Sequence, residues 1–506
     1  MEKAGKEEKN FKELLVKGSF WALLASVISR LGALIFTIIL ARFLLPEGYG
    51  IYSIVLSVSM IFFTFTDLGV NSALIRYVSH TLTKNKSKAH SYYSYLLKIK
   101  FLLTLLVSFV LAILAPVISL YVFNNPLLKM PLMISAFYIF ILSIESFYAS
   151  IFYIAKKISY ISIREVLNQT LRIIFALGVF YFVSSSFYVS GLFISFIFVS
   201  FILTMFSLFY TKRLIPEIFE KTSFETIEKV RILKFIGLIT IASISSIFFS
   251  YIDSIMLGIF LKPEFVGYYK AAFALIAGVS SILFAPISIL LPIFTNLSKI
   301  KLRLSVNNIS KYLTIFTIPS SFGILVLGKY FLRSFYGYSY LPASLPLSFL
   351  AFLLIPSLYV SIFLSLFSAK EKPEIFAKLL IFASILNIIL NYIFIKTLLN
   401  ISEIWATAGA AIATLISWLV YSCLSFYHAK KEIGIKFSFA YLVKPLIASI
   451  VMAGFLLCTS RLIEDMTFIH GLLEVFAGML VYFIIMFLLN GVTKKDFGAL
   501  KILLFK

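Results

Sequence analysis

The chain alternates long apolar runs with short polar connections. A segment that crosses a bilayer needs about 20 mostly apolar residues. Fourteen stretches qualify: 18–40, 49–77, 95–122, 128–154, 159–183, 187–210, 232–260, 265–294, 309–328, 345–367, 373–397, 403–427, 442–463 and 468–490. Backbone groups inside hydrocarbon must pair within their own segment, so continuous runs of this length read as helices. The residue-by-residue alternation of a membrane barrel is absent. The first run is too long for a cleavable signal, follows a highly charged segment and lacks a small-residue cleavage site. It is expected to be the first span of the mature protein. The pattern predicts an all-α polytopic membrane protein of 14 transmembrane helices.

Composition agrees. The chain is 61% hydrophobic and only 13% charged, with a mean hydropathy of +1.02, where soluble domains hold about 45–50% apolar and roughly 25% charged residues. The net charge of +23 does not point to nucleic acid, because no domain presents the cations. They cluster instead in every second connection: 3–17, 84–100, 156–157, 212–234, 299–311, 370–378, 430–444 and 494–506. Cytoplasmic loops carry such an excess. Both termini are therefore expected in the cytoplasm (N-in, C-in), with the basic face against anionic lipid headgroups of the cytoplasmic membrane. Connections this short leave no room for a soluble catalytic domain, and no HExxH, GxSxG, phosphate-binding glycine loop or CxxC pair occurs. The chain is read as no enzyme, with no metal site. Cys423 and Cys458 are expected to be small core residues.

A repeat divides the chain. ARFLLPEGYGIYS (Ala41–Ser53) matches GIFLKPEFVGYYK (Gly258–Lys270) at Phe43/Phe260, Leu44/Leu261, Pro46/Pro263, Glu47/Glu264, Gly50/Gly267 and Tyr52/Tyr269. A weaker echo pairs AKK at Ala155 with AKEK at Ala369. Six spans separate the copies, so the halves share one orientation, a parallel repeat of the kind secondary transporters use for alternating access. The expected organisation is a cytoplasmic tail (1–17), an N-lobe (18–211), a cytoplasmic linker (212–231), a C-lobe (232–428), and a terminal helix pair with its cytoplasmic tail (429–506): two parallel-related six-helix lobes plus two helices.

Charges inside spans are costly, at least ~2.5–3.5 kcal/mol at the bilayer centre, and mark functional candidates. Arg30 on the first helix either pairs with a carboxylate such as Asp67 or Glu145, or lines a cavity for an anionic substrate. Asp67 and Asn71, four apart on the second helix, share a face and read equally as a structural network or as a gate or coupling-ion site. Arg76 lies near the inner interface, where it can snorkel. Arg164, Asn168 and Arg172 form a polar stripe on the fifth helix, beside Glu165 and Gln169, which faces protein or water rather than lipid. Glu145 on the fourth helix and Asp253 on the seventh are further coupling or gating candidates. Lys270 either snorkels or faces a cavity. Asn387 and Asn391 share a face suited to interhelical hydrogen bonds, and Glu474 is given no role.

LARFLLPEGYGIYSIVLS (Leu40–Ser57) followed by TDLGVNSALIRYVS (Thr66–Ser79) resembles the polysaccharide-export flippases, whose superfamily includes the lipid II flippases and the multidrug and toxin extrusion (MATE) transporters. The resemblance implies a V-shaped pair of lobes that moves polyprenyl-diphosphate-linked oligosaccharide from the inner to the outer leaflet. It also implies that cations on helices 1, 2 and 8 hold the diphosphate. The matching positions are Arg30, Arg76 and Lys270. Helices 13 and 14 would form a groove for the lipid tail. The expected partners are the lipid-linked oligosaccharide and membrane lipids, for a protein acting as a monomer without a cofactor, driven by membrane potential or coupled to Na⁺ or H⁺. A MATE-like drug exporter is the alternative.

Overall fold

The computed structural model describes residues 2–220, 225–435, 440–462 and 467–492, with side chains described at Ser29 and from Gly32 onward except at positions 238, 241, 242, 288, 289, 292, 373, 440 and 462. No strand occurs among the described residues. Thirteen helical stretches are long and apolar enough to cross a membrane, the first being Gly32–Leu82; the helix that contains its start begins at Glu2 and bends at Leu45, which leaves an apolar arm on each side. The described residues thus supply fourteen crossings, as the apolar runs predict.

Two compact units divide the chain, residues 1–267 and 268–506. The first contains α1 (Glu2–Asp67), α2 (Val70–Leu82), α3 (Lys86–Val117), α4 (Lys129–Ile154), α5 (Ile158–Phe182), α6 (Tyr188–Leu214) and α7 (Lys229–Phe260). Then α8 (Pro263–Leu283) leads into the second, with α9 (Leu290–Thr295), α10 (Lys299–Tyr336), α11 (Ser344–Leu350), α12 (Leu354–Ala369), α13 (Pro373–Leu399), α14 (Glu403–Ile433), α15 (Ala440–Leu462) and α16 (Phe468–Leu488).

Helix α1 folds at Leu45, whose φ of 57° precedes Pro46. Proline has no N–H to donate and its ring clashes with the preceding turn, so the helix bends there. The matching break between α7 and α8 falls at Leu261 and Pro263. The two copies meet in the first unit. A Cβ on Gly50 would strike the carbonyl of Pro263, and one on Gly267 would strike the carbonyl of Pro46. Only glycine lets the backbones approach this closely, and the reciprocity is that of a local two-fold relation.

The weaker echo is a second copied turn. At the end of α4, Lys156 takes φ 54° and the Lys157 N–H bonds the Phe152 carbonyl (3.1 Å). At the end of α12, Glu371 takes φ 55° and the Lys372 N–H bonds the Phe367 carbonyl (2.9 Å). Both are Schellman-type C-caps with a left-handed residue after the helix. A third correspondence was not visible in the apolar runs. The second span breaks at Leu68 and Gly69 (φ 42° and 83°), and its counterpart breaks after α8, where a 3₁₀ turn covers Ala285–Ile289.

Each unit has an aliphatic and aromatic core. In the first, Leu74 and Val78 of α2 pack with Leu96 of α3, Phe147 and Ile151 of α4, and Ile232 of α7. In the second, α10, α12 and α14 close around Leu302, Ile362, Leu366 and Ile433. The last pair, α15 and α16, packs on α10 through Val326, Leu327, Leu456 and Met486. There the buried Tyr482 donates its hydroxyl to the Ile315 carbonyl at 2.7 Å. Glu474 also has a place, accepting from the Thr459 hydroxyl at 2.7 Å. Cys423 and Cys458 are exposed. This corrects the expectation of core cysteines: in a membrane protein an apolar residue is equally at home facing lipid.

Candidate functional site

The polar interior of the first unit is built on the α4–α5 hairpin. The turn at Lys156 sets the two helices antiparallel, so Glu145 and Arg164 stand at similar depth. Glu145 is fully buried. Arg164 donates Nε and Nη2 to its two oxygens at 2.5 and 2.7 Å. Such fork-on-fork pairing gives each oxygen of the buried carboxylate a charge-assisted hydrogen bond. Arg164 Nη1 also lies 3.4 Å from Glu165. Glu165 in turn accepts from Ser29 of α1 at 2.8 Å and from Gln169 at 3.3 Å. Gly32 of α1 lies directly against Gln169, where a Cβ would sit 3.1 Å from its side chain. Two turns further along α5, Arg172 donates Nη2 to the hydroxyl of the buried Tyr138 at 3.1 Å. Its guanidinium lies 5.2 Å from the Phe196 ring centroid. Tyr52, Phe193 and Phe196 complete this aromatic box.

The second cluster sits at the break of the second span. Asp67 ends α1, and its Oδ1 accepts from Lys100 Nζ at 2.8 Å and from the Asn71 N–H at 3.2 Å. Lys100 is wholly buried, whereas the Asp67 side chain is 27% exposed. Asn71 donates to Ser146 at 3.2 Å. Thr240 of α7 caps the freed Leu68 carbonyl at 2.8 Å. Broken helices with freed backbone groups at membrane depth occur where neighbouring protein satisfies those groups.

The family model for polysaccharide biosynthesis proteins matches residues 15–298. The chain belongs to that family. Among its relatives, the "Probable low-salt glycan biosynthesis flippase Agl15" of Haloferax volcanii is 29% identical over 51% of this chain, a match that spans about half (54%) of the relative's length. The "Uncharacterized membrane protein MJ1068" of Methanocaldococcus jannaschii is 22% identical over 94% of both chains. Two solved structures share the fold. A lipid II flippase MurJ in an inward closed conformation superposes with a TM-score of 0.73 over 92% of this chain and 97% of its own, at 18% identity. An inward-facing MATE multidrug transporter gives 0.63 over 80% and 94%, at 15% identity.

In this family member the residues singled out in the sequence fall as follows. The stripe of Arg164, Asn168 and Arg172 lies along one side of α5, but its two arginines face different partners, a carboxylate and a phenol. Asp67 and Glu145, weighed as partners for Arg30, each have another basic partner. Arg30 lies on α1 with its side chain outside the described residues. Arg76 is exposed on α2, 4.6 Å from the Phe235 ring centroid. Asp253 is buried on α7. In the second unit Lys270 stands 5.9 Å from the Phe273 ring centroid. There Asn387 donates to Thr414 at 3.5 Å, Tyr269 contacts the same hydroxyl at 3.3 Å, and Asn391 donates to the Asn387 carbonyl at 3.0 Å. Tyr269 is the repeat counterpart of Tyr52, so related positions hold buried polar clusters in both units, one cationic and one neutral. Sequence reasoning missed Lys100. It falls where the basic cluster 84–100 overlaps the apolar run 95–122, and α3, which begins at Lys86, carries it inside.

Proposed function

We propose that this protein is a flippase that carries polyprenyl-diphosphate-linked oligosaccharide from the inner to the outer leaflet of the cytoplasmic membrane by alternating access. In this reading both termini are cytoplasmic and the monomer is the working unit, a transporter rather than an enzyme. The family and the glycan flippase among its relatives support the lipid-linked substrate class. The observation that carries the reading to residues is Arg172. Its guanidinium is half-buried in the first unit, held by a phenol and an aromatic face, and no carboxylate pairs with it among the described residues. A membrane-embedded cation without a counter-ion calls for an anionic ligand. Arg30 joins it in this reading, because Asp67 and Glu145 are already occupied by Lys100 and Arg164. Arg76 and Lys270 are the further diphosphate contacts the family resemblance suggests.

Reconstitution into vesicles with a labelled polyprenyl-diphosphate oligosaccharide tests the reading. Leaflet transfer is followed with and without an imposed potential, Na⁺ gradient or pH gradient. The two gradients examine coupling through Asp67, Asn71, Glu145 or Asp253. Transfer by the wild type and its loss in Arg172→Ala are expected. Extrusion of organic cations with no glycolipid transfer would establish a MATE-like exporter instead.

A further inference from the structure

On the side of the first unit away from its charged interior, α3, α4 and α6 leave a groove of about 640 Å³. Its walls are Phe101 from α3, Phe140 and Ile144 from α4, and Phe201 and Met205 from α6, with Lys98 as the one charged residue. Phe101, Phe201 and Met205 are about half exposed. Tyr148 and Thr204 are the uncharged polar residues of the lining, and Thr204 donates its hydroxyl to the Ser200 carbonyl of its own helix at 2.7 Å. In a membrane a cleft whose remaining walls are aliphatic and aromatic is filled by hydrocarbon rather than water.

Lys98 decides what kind of lipid. It is two residues from Lys100, and helical positions that far apart point to opposite sides. Lys100 turns inward to Asp67, whereas Lys98 is exposed at the groove and has no ion-pair partner among the described residues. A lysine at the edge of hydrocarbon extends its stem along the apolar surface and seeks an anion at the headgroup level. Two turns beyond Met205, on the same face of α6 and toward its basic end, Lys212 is also exposed. The groove therefore has an apolar floor and a cationic rim at one end, which is the layout of one lipid molecule.

We propose that this groove is a binding site for a resident anionic phospholipid, with an acyl chain against Phe101, Ile144 and Phe201 and the phosphate on Lys98. The transported glycolipid is not the occupant, because none of the interior groups (Asp67, Lys100, Glu145, Arg164, Arg172) lines the groove.

The test uses the full chain in nanodiscs of equimolar phosphatidylglycerol and phosphatidylcholine, released and weighed by native mass spectrometry. The wild type should retain phosphatidylglycerol in preference to phosphatidylcholine. Lys98→Gln should lower that retention about fivefold, as expected for one interfacial cation, and Lys98→Arg should keep it. Ile144→Trp, which fills the groove with Lys98 intact, should expel the lipid. Equal retention of the two lipids by the wild type overturns the proposal whatever the variants do. So does undiminished phosphatidylglycerol in both Lys98→Gln and Ile144→Trp, or its displacement by added polyprenyl phosphate, which would assign the groove to the carrier lipid.

Discussion

At the scale of single residues, the intramembrane charges divide by what they touch. Glu145 and Arg164 neutralise each other inside the first unit, so their first task is structural. Removing one partner of such a pair strands the other, at a cost of about 3–5 kcal/mol, while replacing both with apolar residues is often neutral. Arg164→Ala is therefore expected to lower the thermal stability of the detergent-purified protein sharply, and Glu145→Leu with Arg164→Leu to restore most of it. A single variant as stable as the double would show that the pair is not buried as described. Arg172 makes the opposite case. Arg172→Ala should lower the melting temperature much less than Arg164→Ala, because it orphans the Tyr138 hydroxyl rather than a buried charge, and should abolish glycolipid transfer. Arg172→Lys should recover only part of it, because lysine lacks the planar fork that bonds Tyr138 and stacks on Phe196 together. That these charges are costly was legible in the sequence, because each interrupts an apolar run. Their partners were not legible, because pairing depends on which helices are neighbours and at what depth. Lys100 shows the limit: it lies where a basic cluster overlaps the apolar run 95–122, and only the packing of α3 shows that its side chain turns inward to Asp67.

At the scale of elements, the turns held the information. The Pro46 and Pro263 copies were readable as a repeat because proline and glycine are each demanded by backbone geometry rather than by packing. Gly50 and Gly267 meet the opposite copy's carbonyl, so a methyl group at either position forces two backbones apart. Overpacking of well-fitted contacts costs about 1–3 kcal/mol. Gly50→Ala and Gly267→Ala are expected to reduce transfer to a similar degree, as reciprocal contacts should. A wild-type rate in either variant would count against the close approach. The Lys156 and Glu371 turns carry a different penalty, since each puts a Cβ in the left-handed region at a cost of roughly 1 kcal/mol. Lys156→Gly and Glu371→Gly should each raise thermal stability slightly and additively; a loss in either would mean the lysine or glutamate side chain is doing something the turn does not explain. The breaks at Leu68 and at Phe284 stayed hidden in the apolar runs, because a helix interrupted inside the membrane keeps its hydrophobicity and loses only its hydrogen bonds.

At the scale of the molecule, fourteen crossings, two repeated halves and a terminal pair follow from hydrophobicity and repeat alone. What drives a substrate through them does not, and the charge pairing bears on it. Inside the first unit Asp67 pairs with Lys100, and Arg164 stands between Glu145 and Glu165, so a coupled cation would have to displace a lysine or an arginine to reach Asp67 or Glu145. In the proposed reaction a diphosphate headgroup then crosses with its charge balanced mainly by cations that stay with the protein, such as Arg172. Moving one charge against 100 mV is worth ~2.3 kcal/mol, so two uncompensated charges gain ~4–5 kcal/mol, a factor of roughly 10³ in the outer-to-inner ratio. An interior-negative potassium diffusion potential should accordingly accelerate export in vesicles without any Na⁺ or proton gradient, and reversing its sign should suppress it. If transfer ignored the potential but followed a Na⁺ or pH gradient, the charge would be travelling with a counter-ion, and the paired carboxylates would have to open during the cycle to hold it.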